Sequence, residues 1–510
     1  MRKRTLLFPV LVVFSAVLSL YVKGAVEFDP GQVVRPLLVL SIFIGLLQPV
    51  MLRLTGDWDL AGIFLGCLAA ALFCTAEAVR LIGSGLLGVA FVWCAYTFLL
   101  RRPRKLALLG AMLSSATAFF ILAGLLPLTH QFRRVALAAY FPQVAPAPRT
   151  VLSPGAKRPD VYFIVVDSYG RADVLQDYYS LDNSGFINYL QSRGFTVARL
   201  ACTNYPKTSL SVASALNLQY IGDFGAMLED SPFWWTLAPY IDHSRLRSAL
   251  EGLGYGTYAT ASDWEITDNE TVDHYYKPYP IDTTEFEGYM LNLTLMGRLT
   301  GPLNRFIASG SYDSHRAFIE NTLTALVEIS KADGPKFVFA HIAAPHPPFV
   351  YDAAGSPLSP AGAFGFNDEN LYPGPPDEYR ALYAEQVQYL NRRLEQVIDE
   401  VLANSAVSPI IVLQGDHGPR PPVVDGEPEA SFLRERYAVL GAYRLPGVNS
   451  KVIPSNVTPV NVFRIILTQY FGAELPALVN ANYLPDRQGT LHTQDITARL
   501  GETCVDPAGP

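Results

Sequence analysis

Asp160-Val161-Tyr162-Phe163-Ile164-Val165-Val166-Asp167-Ser168-Tyr169-Gly170 sets six consecutive apolar side chains between two aspartates and ends on a glycine. A run with no polar residue at alternate positions predicts a strand covered on both faces, as a central strand of a parallel sheet is. Residues 410–413, Ile-Ile-Val-Leu, read the same way. Working outward, strand-like runs at Val161–Val166, 194–200, Gly256–Thr260, Lys336–Ile342, 409–413 and 437–443 alternate with amphipathic segments. Those segments lie at 184–193, 209–220, 244–253, 313–331, 377–404 and 460–470. The alternation predicts an α/β domain with a central, mostly parallel sheet flanked by helices. Asn183 stands where it would cap the helix at 184–193, which Gly194 would stop.

The first 130 residues are of another kind. Apolar stretches at 6–22, 34–52, 60–75, 81–100 and 106–126 approach or reach the roughly 20 residues that a helix needs to cross a bilayer. The third is the shortest and contains Gly62, Gly66 and Cys67. Basic residues gather at one set of ends, Arg2, Lys3, Arg4, Arg53, Arg101, Arg102, Arg104 and Lys105, whereas the opposite loops hold only Lys23 and Arg80. The positive-inside bias therefore puts the N-terminus in the cytoplasm, and five spans put everything after 126 outside it. The expected organisation is a five-span transmembrane helical bundle (1–128), a juxtamembrane connector (129–158) broken by Pro146, Pro148 and Pro154, and an extracytoplasmic α/β domain (159–510) of a multi-pass cell-membrane protein.

A net charge of −7, with no Lys/Arg stripe in the soluble part, excludes nucleic acid as the partner, because phosphate backbones demand a basic surface. The lipid bilayer is the expected partner instead. Cys202 and Cys504 are the two cysteines beyond the spans; outside the cytoplasm they can pair or remain two thiols, and sequence distance does not decide between these.

In an open α/β sheet, ligands bind at the carboxyl ends of the strands. Reactive groups collect there: Asp167-Ser168-Tyr169-Gly170 after the first strand, Pro345-His346-Pro347-Pro348-Phe349 after 336–342, and Gly415-Asp416-His417-Gly418 after 409–413. A fourth element, Asn204-Tyr205-Pro206-Lys207-Thr208-Ser209, opens the helix at 209–220. Each alone has a plain structural explanation: Asp167 as a turn former, His346 in a stiff surface loop, Thr208 as an N-cap. Together they offer three oxygen donors and one nitrogen, from Asp167, Thr208, Asp416 and His417. That set suits one divalent ion, Zn²⁺ or Mn²⁺, with Mg²⁺ less favoured because of the imidazole. An ion on the Thr208 oxygen would make it a nucleophile, and the helix N-terminus behind it would receive an anion. Lys207 and Asn204 join His346 as candidate substrate-binding residues.

At these residues the chain resembles the alkaline phosphatase superfamily, in its sulfatase-like membrane branch, which includes lipoteichoic acid synthases and lipid A phosphoethanolamine transferases. Lys207-Thr208-Ser209 is similar to the synthases' nucleophile motif, and Gly415-Asp416-His417-Gly418 to the family's metal signature. Pro345-His346-Pro347-Pro348-Phe349 is similar to the motif whose His contacts substrate phosphate. The first motif departs, carrying Asp167 where the synthases carry Glu. Cys202-Thr203-Asn204-Tyr205 is not the formylglycine signature, and His243, His274, His315 and His341 fall in no second-metal motif.

The resemblance implies a phosphoester transferase or hydrolase. Thr208 would form a covalent intermediate, His346 would orient the phosphate or protonate the leaving group, and the substrate would be a lipid or an envelope glycan. Two alternatives stand beside it: a sulfate or phosphate ester hydrolase using water as acceptor, and a non-catalytic membrane-anchored binding protein.

Overall fold

The computed structural model describes residues 7–24, 28–73, 145–152, 157–224, 234–278, 284–294, 311–359, 364–423, 426, 428–485 and 491–505. The stretches expected to span the membrane at 81–100 and 106–126, and most of the connector, lie outside them. The chain divides into two compact units, one built from 1–136 with 281–311, the other from 137–280 with 312–510.

In the first unit, helices run over Leu7–Gly24, Val34–Thr55 and Trp58–Leu72. Among the described residues one helix, Pro30–Thr55, is long and apolar enough to cross a membrane. Its 26 residues correspond to about 39 Å of helix, against a hydrocarbon core of roughly 30 Å. The stretch expected at 60–75 is a 15-residue helix, about 22 Å long. Packed with these helices is Glu285–Leu293, drawn from the middle of the sequence that reads as soluble domain. Thr284 caps this helix in a reciprocal box with Glu287. Phe286 is fully buried beside Tyr21 and Phe28. The Phe286 N–H donates to Gln32 Oε1 at 2.9 Å, and Arg35 holds Glu287 through both nitrogens of its fork.

The second unit carries a seven-stranded sheet. Its strands are β1 Val161–Val166, β2 Phe195–Val197, β3 Gly256–Thr260, β4 His274–Tyr276, β5 Lys336–Ile342, β6 Ile410–Gly415 and β7 Gly441–Arg444, in the order β2-β7-β6-β1-β5-β3-β4. All pairings from β6 through β4 are parallel, and β7 runs antiparallel to both neighbours. β8 Tyr483–Pro485 and β9 Thr493–Asp495 form a separate antiparallel pair.

The run that opened the sequence reading is the centre of this sheet, and its period of two explains its composition. Tyr162, Ile164 and Val166 face a core closed by helices Ala172–Tyr179, Ser184–Ser192, Tyr312–Ser330 and Pro376–Asn404. Val161, Phe163 and Val165 face the other core, closed by Thr208–Asn217, Arg245–Glu251 and Pro459–Phe471. No position on β1 meets water, so none is polar.

Several expected elements shift. The strand expected at 437–443 starts only at Gly441, because helix Glu429–Tyr437 takes its first residue. Asn183 occupies the N-cap position without capping; its side chain bonds to Tyr169 and Asn391, while Asp182 receives the Ser184 N–H. β4 was not expected, as three residues at a sheet edge leave no periodic signal.

Cys202 and Cys504 form a disulfide across 302 residues of sequence. Closing so long a loop stabilises the fold by about 6 kcal/mol in the chain-entropy model, slightly more than native bridges usually deliver. Replacing both cysteines with serine should cost about 2–5 kcal/mol, read as a lower melting temperature of the full chain in detergent. Reductant should lower the wild-type melt and leave the variant's unchanged; equal melts for both proteins would mean that the bridge adds no stability.

Candidate metal centre

Register brings the site together. Val166 pairs with Ile342 on one side and Gly415 on the other, so β1, β5 and β6 end level and release Asp167, the 343–350 loop and Asp416 at one edge. Ser168 then turns the chain with φ of 63°, and its N–H donates to Asp416 Oδ1 at 3.1 Å. Thr203 donates its hydroxyl to the Asp416 carbonyl, tying in the loop that leads to Thr208. Thr208 is the first residue of helix Thr208–Asn217 and lies one position inside the cap, which is Lys207. The cap role open to Thr208 in the sequence is therefore not the one it takes.

Gly415 and Gly418 matter for closeness rather than flexibility. A Cβ on Gly415 would lie 2.5 Å from the Tyr169 carbonyl oxygen, and one on Gly418 would lie 2.0 Å from that of Glu435. Backbone packs directly behind Asp416-His417, and only glycine leaves room for it.

His417 Nε2 stands 3.4 Å from Asp167 Oδ1, 3.6 Å from Asp416 Oδ2 and 3.4 Å from Thr208 Oγ1. Tetrahedral coordination with bonds of roughly 2.0–2.2 Å separates neighbouring donors by roughly 3.3–3.6 Å, so these are three edges of such a tetrahedron. His417 Nδ1 meets the Gly418 carbonyl at 2.8 Å, which keeps the proton on that nitrogen and leaves the Nε2 lone pair facing the cluster. Asp167 Oδ2 and Asp416 Oδ2 are buried without hydrogen bonds, an arrangement whose cost a bound cation would offset. Among the described residues this is the one place where three acidic or imidazole groups converge.

His346 lies on the loop after β5, its N–H donating to the Asp167 carbonyl at 3.2 Å. Its ring stands 6.3 Å from that of His417 and meets Trp264 edge-on at 5.6 Å. Burial disfavours charge on this imidazole, yet Asp167 and then Asp368 push its pKa up to about 9. Burial likewise opposes ionisation of Asp167, but His346, then His341 and His417, hold its carboxyl well below the usual range.

Other candidates are engaged elsewhere. Lys207 Nζ sits over the Trp234 ring at 4.2 Å. Asn204 donates to the Ala481 carbonyl and accepts from the Val460 N–H, so both ends of its amide brace backbone. Of the four further histidines, His341 lies beside the cluster, 3.5 Å from Asp167 Oδ2, with Nδ1 at 2.8 Å from the Thr267 hydroxyl. His315 pairs with Asp263 at 3.1 Å, His274 stacks on Tyr258, and His243 ends helix Ala238–Asp242. Sequence reasoning missed Asp368 and Arg420, which meet at 3.1 Å beside His346. Arg420 had a signal, four residues after Asp416; Asp368, inside a long Pro/Gly-rich loop, had none.

A sulfatase family model matches residues 159–468. No curated protein matches the chain. Among solved structures the chain is similar to the C-terminal periplasmic domain of EptC from Escherichia coli in complex with Zn, at 13% identity over 67% of this chain and 94% of that one, with a TM-score of 0.45. It is similar to the integral membrane lipooligosaccharide phosphoethanolamine transferase A from Neisseria meningitidis, at 13% identity over 91% and 94%, with a TM-score of 0.42. A third similar structure is the phosphonate monoester hydrolase of Agrobacterium radiobacter, at 14% identity over 64% and 80%, with a TM-score of 0.39. The family model spans more than half of the chain and contains every group of the metal centre: this protein belongs to the sulfatase family of enzymes, within the alkaline phosphatase superfamily.

Proposed function

We propose that the protein is a metal-dependent phosphoester transferase that works outside the cytoplasm on a lipid or envelope substrate through a covalent intermediate on Thr208. One observation carries this reading: the Thr208 hydroxyl shares a tetrahedron-sized space with Asp167, Asp416 and His417. A divalent ion held by these four residues would act as a Lewis acid and lower the pKa of the hydroxyl. Thr208 Oγ1, its proton released to solvent, attacks phosphorus, and the bond to the leaving oxygen breaks. His346, on the loop that brings its N–H to the Asp167 carbonyl, donates a proton to that oxygen. The first turn of helix Thr208–Asn217 receives the phosphoryl oxygens on its N–H groups. An acceptor hydroxyl then attacks phosphorus, the bond to Thr208 Oγ1 breaks, and the acceptor's proton returns to His346. The apolar helix Pro30–Thr55 and the disulfide support a membrane protein whose catalytic unit lies in an oxidising, extracytoplasmic compartment; the multi-pass topology is part of this proposal.

Thr208→Ala should lower kcat on the order of 10³-fold or more. Acid-quenched wild type incubated with a phosphodiester donor should carry the transferred group on the peptide containing Thr208, detected by mass spectrometry. Wild-type turnover in the Ala variant would refute the nucleophile. Repeating the reaction with added alcohols separates transfer from hydrolysis by its products.

Chelator dialysis should abolish activity, and Zn²⁺ or Mn²⁺ should restore it. Asp416→Ala and His417→Ala should each weaken metal binding by at least about 100-fold, measured by competition with a chromogenic chelator. Wild-type affinity in both variants would remove the metal from this site.

A further inference from the structure

Thr208 is fed to the metal centre by residues 198–207, which belong to no strand or helix. Pro206 in this segment has no N–H to bond, so its other backbone groups have to fix the path. On one side the Thr203 N–H donates to the Tyr437 carbonyl at 2.8 Å, and the Thr203 hydroxyl donates to the Asp416 carbonyl at 2.5 Å. On the other side stands the C-terminal segment, beyond the residues 159–468 that the family model matches.

Three consecutive residues of that segment grip two of the feeding segment. Asn482 donates its side-chain amide to the Thr203 carbonyl at 2.7 Å, and the Tyr483 N–H donates to the Asn204 carbonyl at 2.8 Å. The Ala481 carbonyl accepts the Asn204 side-chain amide, also at 2.8 Å. The grip is itself held in place. The Asn482 N–H donates to the Thr497 hydroxyl at 2.9 Å, and its carbonyl accepts the Ile496 N–H at 2.8 Å. The Tyr483 ring stacks on that of Tyr205 with centroids 5.5 Å apart, and Cys504 is bonded to Cys202. Thr203, Asn204 and Asn482 are buried, so water cannot stand in for a lost bond here. Asn480, two residues before Asn482, serves a different element. Its amide donates to the Asn456 carbonyl at 2.8 Å, and its Oδ1 accepts from Thr458 and Asn461, at the start of helix Pro459–Phe471.

We infer that Asn482 is a positioning residue for the nucleophile, fixing through Thr203 and Asn204 the depth at which Thr208 enters the metal centre. This role rests on the nucleophilic one proposed above for Thr208. Asn482 acts from a distance, on residues four and five positions before Thr208. A displacement of about 1 Å at a reacting group can cost about 100-fold in rate, whereas ground-state binding by other residues is spared.

The test uses the full chain in detergent with bis(p-nitrophenyl) phosphate as donor. Asn482→Ala removes the amide, and Asn482→Asp keeps its size but cannot donate. Each should lower kcat about 10–100-fold while KM stays within about 3-fold. The rate at which the Thr208 peptide is labelled, followed by acid quench and mass spectrometry, should fall by the same factor as kcat. Asn480→Ala is the control for stability alone: it should lower the melting temperature, as the Asn482 variants do, and leave kcat within about 3-fold of wild type. A double variant with Thr208→Ala should be no slower than Thr208→Ala by itself. Equal kcat losses in the Asn480 and Asn482 variants, a loss confined to KM, additive losses in the double variant, or wild-type kcat in Asn482→Asp would each overturn the assignment of Asn482. Wild-type turnover in Thr208→Ala would instead remove the nucleophile on which it rests.

Discussion

Level termination of three parallel strands is the constraint on which the rest of this protein depends. β1 is paired in register with β5 and β6, so the residues that follow Val166, Ile342 and Gly415 emerge side by side. A slip of one residue in either pairing would turn every side chain of the strand to the opposite face. Both faces of β1 are apolar, so neither core would punish such a slip strongly. What register controls here is whether Asp167 and Asp416 arrive at the same depth. The glycines beside Asp416 serve the same end, since the carbonyls of Tyr169 and Glu435 press against them and fix how far the strand advances.

The sheet was legible because burial on two faces leaves a signature in one strand, as Val161–Val166 shows. The convergence of Asp167, Asp416 and His417 was legible because strand ends are where such folds place ligands, and because Asp416-His417 between glycines has few simpler uses. Long-range engagements were not legible. Asn183 looks like a cap until Asn391, 208 residues away, claims its amide. Asn204 and Lys207 stand near Thr208 in the sequence, but the bracing of Ala481 and Val460 by the Asn204 amide and the stacking of Lys207 on Trp234 could not be read there. Whether Cys202 and Cys504 pair or remain thiols stayed open in the sequence, because contact order is invisible in spacing. Pattern reveals what a residue's neighbours in sequence demand, and these residues answer to neighbours in space.

Charge around the centre is arranged in two layers with different purposes. Asp167, Asp416 and His417 crowd their donor atoms together with two carboxylate oxygens unsatisfied, a costly arrangement without a cation. One step outward, Asp368, Glu369, Arg420 and Arg436 pair among themselves, and burial fails to neutralise them: Arg420 and then His346 keep Asp368 ionised well below the usual carboxylate range. The outer layer carries arginines of its own to face its carboxylates, and the inner one has neither Lys nor Arg among its donors. His346 stands between them and meets carboxylates from each.

The segment 281–311 has a topological consequence. Because it leaves the second compact unit, joins the first and returns, the chain passes between the units three times. A protease acting once near residue 150 would leave the catalytic unit joined through both ends of that excursion. A cut inside the excursion would leave the two halves of the catalytic unit joined by the Cys202–Cys504 bridge. After one cut near residue 150, therefore, no peptide bond ties the catalytic unit to residues 1–136, and what holds it is the packing of Glu285–Leu293 beside Tyr21, Phe28, Gln32 and Arg35.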